Sequence, residues 1–298
     1  MKVLITGATG LIGKRLAERY HQPMVTSRVP GRVAGAHPPG HVLQWPLTET
    51  SPEPEIPLDA VFHLAGEPVA GARWSAERMA RIRSSRVEGT RDLVDWLAGL
   101  EHRPRVLVCA SAIGYYGDRG DQELTENSAP GDSFLAEVCE QWEAEAQRAE
   151  ALGIRVVQLR IGIVLSKSGG ALAEMMTPFK LGVGGPLGSG DQWMSWVHID
   201  DLLGLLQHAA EAEVSGPMNG VAPGPIRNRD FSKAFARALG RPSFLKAPAF
   251  ALKIALGKMS DIVLASQKVS PQVALASGYQ FQYVDLAEAL RACLAEDK

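Results

Sequence analysis

The opening segment constrains the fold of this chain more than any other part of it. An apolar run, Lys2 to Thr6, is followed by three glycines spaced three residues apart and then by a segment of helical character, Lys14 to Tyr20. In such a pattern the first glycine permits a tight turn after a buried strand, the second lets the backbone approach a pyrophosphate, and the third lets the helix press against the sheet. The helix N-terminus then faces the phosphates. The pattern predicts a dinucleotide cradle made of Gly7, Ala8, Thr9, Gly10, Leu11, Ile12 and Gly13.

The end of the second predicted strand indicates which dinucleotide the cradle holds. Met24 to Ser27 runs into Arg28 and not into an acidic residue. A carboxylate at this place accepts hydrogen bonds from the ribose hydroxyls of NAD, whereas a guanidinium pairs with the 2′-phosphate of NADP. We therefore expect NADP(H) as the cofactor, bound by Ser27 and Arg28, with Arg32 as a second cation. The alternative is that Arg28 is a solvated side chain in a loop.

Composition and charge exclude several classes of partner. The 298 residues are 46% hydrophobic and 21% charged, which is enough for a full core and a smaller appendage. A formal net charge of -2 without any basic run argues against nucleic acid. The three cysteines lack metal-binding spacing, which predicts reduced thiols, no disulfide and no metal site. We also expect no secretory leader, no membrane partner and a cytoplasmic location.

Strand-like and helix-like segments alternate along the first half of the chain. This alternation predicts an α/β protein with a Rossmann-type, doubly wound parallel sheet. The clearest helices are Ala76 to Leu100 and Ser133 to Leu152. The predicted strands are Lys2 to Thr6, Met24 to Ser27, His41 to Trp45, Ala60 to Ala65, Arg105 to Ala110 and Arg155 to Leu159.

The chain is predicted to have two parts. Residues 1–165 would form the cofactor domain, with sheet elements returning at about residues 192–225. Residues 166–298 would supply glycine-rich loops over a site, around Ser166 to Gly170 and Gly182 to Gly190, and a small, mainly helical C-terminal domain. Helices are expected there at about Arg229 to Leu239, Pro248 to Lys258 and Asp285 to Leu294.

Several longer motifs resemble those of the extended short-chain dehydrogenases/reductases, which include nucleotide-sugar epimerases and dehydratases. These motifs are Val61 to Gly66, Arg86 to Thr90, Ser111 to Gly117 and Trp196 to Asp201. A second set is similar to an atypical subgroup of epimerase-family proteins that carry a C-terminal domain of unknown function. That set comprises Arg73-Trp74, Phe134 to Cys139, Trp142-Glu143, Gly184 to Gly190, Gln192-Trp193 and Ser195-Trp196.

The resemblance implies further cofactor contacts. The loop after the fourth strand would pass the nicotinamide ribose, so Leu64, Ala65 and Gly66 would present backbone atoms to it. Arg86 falls where extended relatives place an asparagine beside the cofactor, and it would reach the pyrophosphate unless it is a helix-surface side chain. Val164 would pack near the nicotinamide.

The acid-base pair that the resemblance implies is missing. Relatives use Tyr-x-x-x-Lys, but the corresponding helix has Leu135 and Cys139 in one register, and Cys139 and Glu143 in the other. The serine of the site is Ser111 only if Tyr115 counts as an insertion. Candidates to replace the pair are Tyr115, Tyr116, Glu67, Cys139 and Glu143, and each has a structural alternative as a packing residue, a backbone contact or a surface charge.

The glycine-rich loop and the tryptophans after it are candidates for a substrate pocket. Aromatic faces beside flexible glycines suit a planar or sugar ligand, although the same residues would also serve as a hydrophobic anchor. The pocket residues would be Gly184, Gly185, Trp193 and Trp196, whereas His198 and Asp200 are expected to be structural.

Two functions remain open from the sequence. One is an NADP(H)-dependent oxidoreductase or epimerase acting on a small polar or nucleotide-linked substrate. The other is a catalytically silent NADP(H)-binding sensor or regulatory protein. Either would be a monomer or a homodimer.

Overall fold

A parallel sheet of seven strands forms the centre of the protein. The computed structural model describes residues 1–38, 40–70 and 73–295. The strand order is β3-β2-β1-β4-β5-β7-β11, and every neighbouring pair is parallel. These strands are β1 (Val3–Thr6), β2 (Met24–Ser27), β3 (Val42–Gln44), β4 (Ala60–His63), β5 (Val106–Ala112), β7 (Arg155–Ile161) and β11 (Gly216–Gly220). The predicted doubly wound parallel sheet is confirmed, and its seventh strand, β11, lies within residues 192–225, where sheet elements were expected to return.

Three two-stranded sheets lie outside the main sheet in the described part of the chain. Their strands are only two or three residues long, which is too short for alternation of apolar and polar residues to predict them individually. They pair β8 (Ile163–Leu165) with β10 (Trp196–His198), β9 (Trp193–Met194) with β12 (Ile226–Arg227), and β6 (Glu123–Leu124) with β13 (Lys268–Val269).

Helices cover both faces of the main sheet. Side-chain oxygens of Ser75 and Ser133 accept backbone N–H groups and so cap the two long helices, whose expected positions agree with the structure. The helices are α1 (Leu11–Ala17), α2 (Ala76–Gly99), α3 (Phe134–Gln147), α4 (Gly170–Lys180), α5 (Ile199–Glu211), α6 (Asn228–Ala238), α7 (Ala249–Leu256), α8 (Ser260–Leu264), α9 (Gln272–Ala276) and α10 (Leu286–Ala295). Helix α4 lies between the two glycine-rich segments expected to be loops.

The strand order reverses between β1 and β4, because β2 and β3 lie on one side of β1 while β5, β7 and β11 lie beyond β4. Ligands of open α/β sheets bind outside the carboxyl ends of the strands at such a switch point. Within the described residues, no helix is long and apolar enough to cross a membrane. The last three residues of the predicted second part, 296–298, lie outside the described residues.

Candidate functional site

The turn between β1 and α1 has the close packing that its glycines suggest. Gly7 has a φ of +71°, and a Cβ there would lie 2.7 Å from the Leu64 carbonyl carbon. A Cβ on Gly13 would lie 2.3 Å from the Gly7 oxygen. Gly10 is the looser position, where the nearest atom to a Cβ would be 3.3 Å away. The first and third glycines are therefore required by packing inside the protein, while the second leaves its outer side open.

The surface of this turn is open and partly apolar. Thr9 and Gly10 are exposed. Four partly buried apolar residues next to this turn pack against one hydrophobic core, namely Ala8, Ile12, Leu64 and Val164. The first N–H groups of α1, which begin at Leu11, lie next to this apolar surface and suit a pyrophosphate and the flat rings attached to it. The predicted cradle residues and Val164 thus lie on one surface at the switch point.

A buried chain of hydrogen bonds holds the loop after β4 against β1. The Thr6 hydroxyl oxygen accepts the N–H groups of Leu64 and Ala65, at 3.1 and 3.2 Å, and lies 2.7 Å from His63 Nδ1. Because the oxygen already accepts two donors, its own proton must go to Nδ1. His63 then carries its proton on Nε2 and donates it to the Thr90 hydroxyl, 2.9 Å away.

Burial lowers the pKa of His63 to about 3, and the nearby Arg86 guanidinium adds to that effect. The imidazole is therefore neutral at physiological pH, as the hydrogen-bond pattern requires. Sequence reasoning used His63 only as part of a strand motif and missed this role. The signal available was a threonine at the end of one strand and a histidine at the end of another, which is too common a pair to stand out.

Arg28 lies at the carboxyl end of β2 with its side chain exposed. Its carbonyl oxygen accepts a hydrogen bond from Gln44 Nε2, and the preceding Ser27 hydroxyl accepts the N–H of Val29. The described residues offer the guanidinium no ion pair. The backbone is thus held while the cation remains available to a ligand.

Arg86 lies under the loop after β4. Its Nη1 donates to the carbonyl oxygens of Glu67 and Ile82, at 2.9 and 3.2 Å, and its guanidinium carbon stands 5.1 Å from the Trp142 ring centroid. A Cβ on Gly66 would be only 3.3 Å from that guanidinium. Burial lowers the pKa of Arg86, an effect that Cys139 and Glu67 oppose. The arginine therefore shapes the loop beside Gly66, and its reach to a pyrophosphate stays a prediction.

Polar side chains at the ends of three adjacent strands form a second cluster. Ser111 on β5 and Asn219 on β11 each pair in register with Arg160 on β7, so the three side chains stand side by side. Glu143 reaches them from α3. Its two carboxylate oxygens accept Arg160 Nε and Nη2, at 2.8 and 2.7 Å, and Oε1 also accepts the Ser111 hydroxyl at 2.6 Å.

Arg160 links this cluster to two tyrosines. Its Nη1 donates to the Tyr116 hydroxyl at 3.1 Å, and that hydroxyl donates to Asn219 Oδ1 at 2.6 Å. The Tyr115 ring centroid lies 3.5 Å from the guanidinium carbon. Tyr116 is fully buried whereas Tyr115 is partly exposed, so of the two candidates only Tyr115 presents surface to a ligand.

Burial raises the pKa of both tyrosines, to about 12 for Tyr116, although Arg160 opposes this effect in each case. Both phenols are therefore protonated at neutral pH. A partly exposed neutral phenol can give a proton to a substrate oxygen, which is the role needed when a carbonyl is reduced.

Comparison with known proteins identifies the family. A model described as "NAD dependent epimerase/dehydratase family" matches residues 3–221, and one described as "Domain of unknown function (DUF1731)" matches residues 247–293. The chain belongs to the NAD dependent epimerase/dehydratase family. The predicted resemblance to epimerase-family proteins with a C-terminal domain of unknown function is confirmed.

Relatives of this epimerase-family chain cover it almost completely. It is 41% identical to the chloroplastic epimerase family protein SDR39U1 homolog of Arabidopsis thaliana over 99% of the chain and 87% of that protein. It is 37% identical to epimerase family protein YfhF of Bacillus subtilis over 100% of the chain and 99% of that protein. The crystal structure of human epimerase family protein SDR39U1 with NADPH covers both chains fully at a TM-score of 0.90 and 36% identity.

In this epimerase-family chain Cys139 fits its structural alternative as a buried packing residue. Its thiol is buried beneath Ser111, and burial raises the pKa of Cys139 to about 11, with Glu143 adding to the effect. The thiol stays protonated at neutral pH and is a core side chain. Glu67 is partly buried, and one carboxylate oxygen lies 3.9 Å from Arg78 Nη1.

Three residues predicted to line the pocket, Trp196, Gly184 and Gly185, lie in the packed interior. Trp196 is 1% exposed and its indole donates to the Gly224 carbonyl oxygen at 2.9 Å, so it does not line an open pocket. A Cβ on Gly184 would meet the Phe179 ring at 2.3 Å, and one on Gly185 the Leu245 oxygen at 1.9 Å. These glycines let backbones pack closely. The sequence around this glycine-rich loop has no apolar periodicity, so it did not indicate which of its side chains face the core.

Trp193 is the partly exposed member of the predicted pocket. Its indole donates to Asp121 Oδ1 at 2.9 Å, and the Arg227 guanidinium lies 4.1 Å from its ring centroid. The tryptophan thus joins β9 to neighbouring segments through polar contacts. Its role toward a substrate stays a prediction.

Proposed function

We propose that this protein binds NADPH in the cradle between β1 and α1 and uses it as an oxidoreductase or epimerase on a small polar or nucleotide-linked substrate. The observation that carries the proposal is the open surface of Gly7 to Ile12 at the switch point of the sheet, with an exposed Arg28 at the end of β2. The human relative with NADPH, similar over the full length, supports the same cofactor here.

The residues present fit an NADPH molecule. Backbone N–H groups of Leu11 and Ile12, in the first turn of α1, would hold the pyrophosphate, since the Gly10 N–H already donates to the Gly7 carbonyl oxygen at 2.9 Å. Arg28 and Ser27 would hold the 2′-phosphate, and Leu64 to Gly66 with Val164 the nicotinamide end. When bound, NADPH supplies a hydride to an electrophilic carbon. The buried bonds from Thr6 keep the Leu64–Ala65 backbone in place for that contact.

Tyr115 is the proton donor in this proposal. Its ring is partly exposed, its phenol is neutral, and the Arg160 cation under the ring stabilises the phenolate that remains after the proton leaves. Ser111, unlike Tyr115, has no proton to offer a substrate. Its proton points to Glu143 and the side chain is buried, so its remaining capacity is that of a hydrogen-bond acceptor at the inner end of the site.

Calorimetric titration with NADPH and NADH tests the cofactor. For Arg28→Asp we expect NADPH binding to weaken by ~1.5–3 kcal/mol while NADH binding is spared, because a charge-assisted contact to the 2′-phosphate is lost. Arg241→Asp, an equal charge change at another exposed arginine, should leave both affinities as they were. An unchanged NADPH/NADH ratio in Arg28→Asp would rule out its role.

A second candidate function rests on the Ser111–Glu143–Arg160 cluster. Every one of its polar groups has a partner within the chain, as expected of a protein that binds NADPH to set its shape and not to transfer hydride. A screen of carbonyl compounds and nucleotide sugars with NADPH distinguishes the two. Turnover that Tyr115→Phe reduces by more than about tenfold, with NADPH affinity kept, supports the enzyme. No turnover across the screen supports the sensor.

A further inference from the structure

A pocket of about 460 Å³ opens where α2 and α3 begin. Two parts of the chain that different family models match meet there, since Lys258 lies in residues 247–293 and the remaining lining residues lie in residues 3–221. The volume falls within the range of about 300–1,000 Å³ that small-molecule sites occupy. The pocket is lined by Trp74, Met79, Ala80, Arg83, Phe134 and Lys258.

The walls of this pocket are mainly apolar and aromatic. Trp74 and Phe134 meet edge to face, with ring centroids 5.5 Å apart and planes at 71°. Met79 and Ala80 come from one side of the first two turns of α2, facing these rings. The two rings, together with the small and flexible apolar side chains beside them, line an open slot whose wall suits a flat apolar group.

The charges around the slot are positive. Arg83 lies 5.6 Å from the Phe134 ring centroid and also pairs with Glu137 at 3.0 Å. Lys258 is exposed, and no ion pair of its ammonium is found in the described part of the chain. The Arg73 guanidinium adjoins Gly257, since its Nη2 lies 3.4 Å from the position that a Cβ on Gly257 would take. Lys258 and Arg73 thus leave a cationic rim for an anion.

Two contacts connect the walls of this pocket to segments of the proposed reaction site. The Trp74 indole donates to the Val69 carbonyl oxygen at 2.8 Å, in the loop that also carries Gly66. A Cβ on Gly114, which precedes Tyr115, would lie 3.4 Å from the Cβ of Leu135, the residue after Phe134. The walls of the pocket are therefore anchored to the two segments that carry the nicotinamide loop and the candidate proton donor.

We infer that this pocket binds the body of the substrate, and that the substrate is an organic anion with a flat apolar portion. The apolar portion lies against the Trp74 and Phe134 rings, beside Met79 and Ala80, while a carboxylate or phosphate group meets Lys258 at the rim. This inference rests on the proposed function for its place in a reaction, but the binding that it describes can be tested separately.

The probe is 1-anilinonaphthalene-8-sulfonate, whose fluorescence reports its own binding, titrated with and without NADPH. Ala80→Trp fills the slot from an exposed helix position and should weaken probe binding by about tenfold. Lys258→Met removes the rim cation and should weaken it by about fivefold. Ala287→Trp on α10 and Lys253→Met on α7, both at exposed positions, are the matched controls and should leave it unchanged.

Competition identifies the anionic group. Displacement of the probe by 2-naphthoate alone assigns a carboxylate ligand, and displacement by 1-naphthyl phosphate alone a phosphate. Equal probe affinity in wild type and Ala80→Trp overturns the inference, as does equally tight binding of the neutral N-phenyl-1-naphthylamine. If NADPH does not bind the wild-type protein but probe affinity falls in Ala80→Trp and Lys258→Met, the proposed function is wrong and the ligand-binding role of the pocket still stands.

Discussion

The cofactor surface and the Ser111–Glu143–Arg160 cluster lie along the same edge of the sheet, yet they are built in opposite ways. The cofactor surface consists of backbone and small side chains, and its cation Arg28 is exposed. The cluster consists of long polar side chains, and Arg160 is 3% exposed with its donors occupied by Glu143, Tyr116 and the Glu126 carbonyl oxygen. The first region is ready for a ligand, whereas the second stabilises the protein itself.

The comparison of these two regions shows that serine, glutamate and arginine side chains at a strand end do not by themselves make a reactive site. Buried charges need partners, and once Glu143 and Arg160 have paired they contribute to the fold and to the placement of the tyrosines. Chemistry then depends on the edge of the cluster, where Tyr115 is partly exposed.

The largest expected effect is that of Glu143→Ala. The change leaves Arg160 buried without its carboxylate, so we expect the free energy of unfolding to fall by ~3–5 kcal/mol in urea titrations. Glu143→Gln keeps acceptor and shape and should cost less. A loss below about 1 kcal/mol would mean that the pair behaves like a solvated surface pair and would remove the contrast drawn above.

Gly13→Ala and Gly10→Ala should separate the packing and ligand-binding roles of the cradle. A Cβ on Gly13 would overlap the Gly7 carbonyl, so the free energy of unfolding should fall by ~2–3 kcal/mol. Gly10→Ala has more room and should stay within about 0.5 kcal/mol of wild type while NADPH binding weakens. Similar losses of stability in both variants would show that the outer side of Gly10 is not open.

Thr6→Val tests the buried bonds that hold the nicotinamide loop. The Leu64 and Ala65 N–H groups lose their acceptor, so we expect a loss of ~1–3 kcal/mol in stability and weaker NADPH binding. Thr6→Ser keeps the hydroxyl and should restore both. The matched control is Thr26→Val on β2, since the buried Thr26 hydroxyl has no partner in the described residues and its removal should cost little.

A pH dependence due to His63 contributes least near neutral pH and grows as the pH falls. Its pKa is about 3 in the folded state and ~6.5 when unfolded, so the unfolded state binds the extra proton between these values. Stability is fully present above pH ~6.5 and falls as the pH drops below it, by at most ~1.4 kcal/mol per pH unit. His63→Gln should reduce this slope between pH 6 and 4, whereas His102→Gln, at an exposed position, should not.

Much of the cofactor half was predictable because its determinants are local. Glycines at fixed spacing after an apolar strand specify a turn, a close approach and a helix start, and alternating apolar segments specify a parallel sheet. The turn at Gly7 and the close approach at Gly13 follow from that pattern, whereas the contact of Gly7 with Leu64 depends on a distant part of the chain. The ion-pair partner of Arg160 was not predictable, because Arg160 is an ordinary charged residue within a strand.

The Rossmann-type sheet, the glycine turn between β1 and α1 and the position of Arg28 could be derived from the sequence alone, since backbone conformation and hydrophobic periodicity act over a few residues. Three features came from the three-dimensional structure: Trp196 and Cys139 are core side chains, Tyr115 and not Tyr116 reaches the surface, and Trp74, Phe134 and Lys258 share a pocket. Burial and pairing depend on residues far apart in the chain, and they determine which side chains remain available to a ligand.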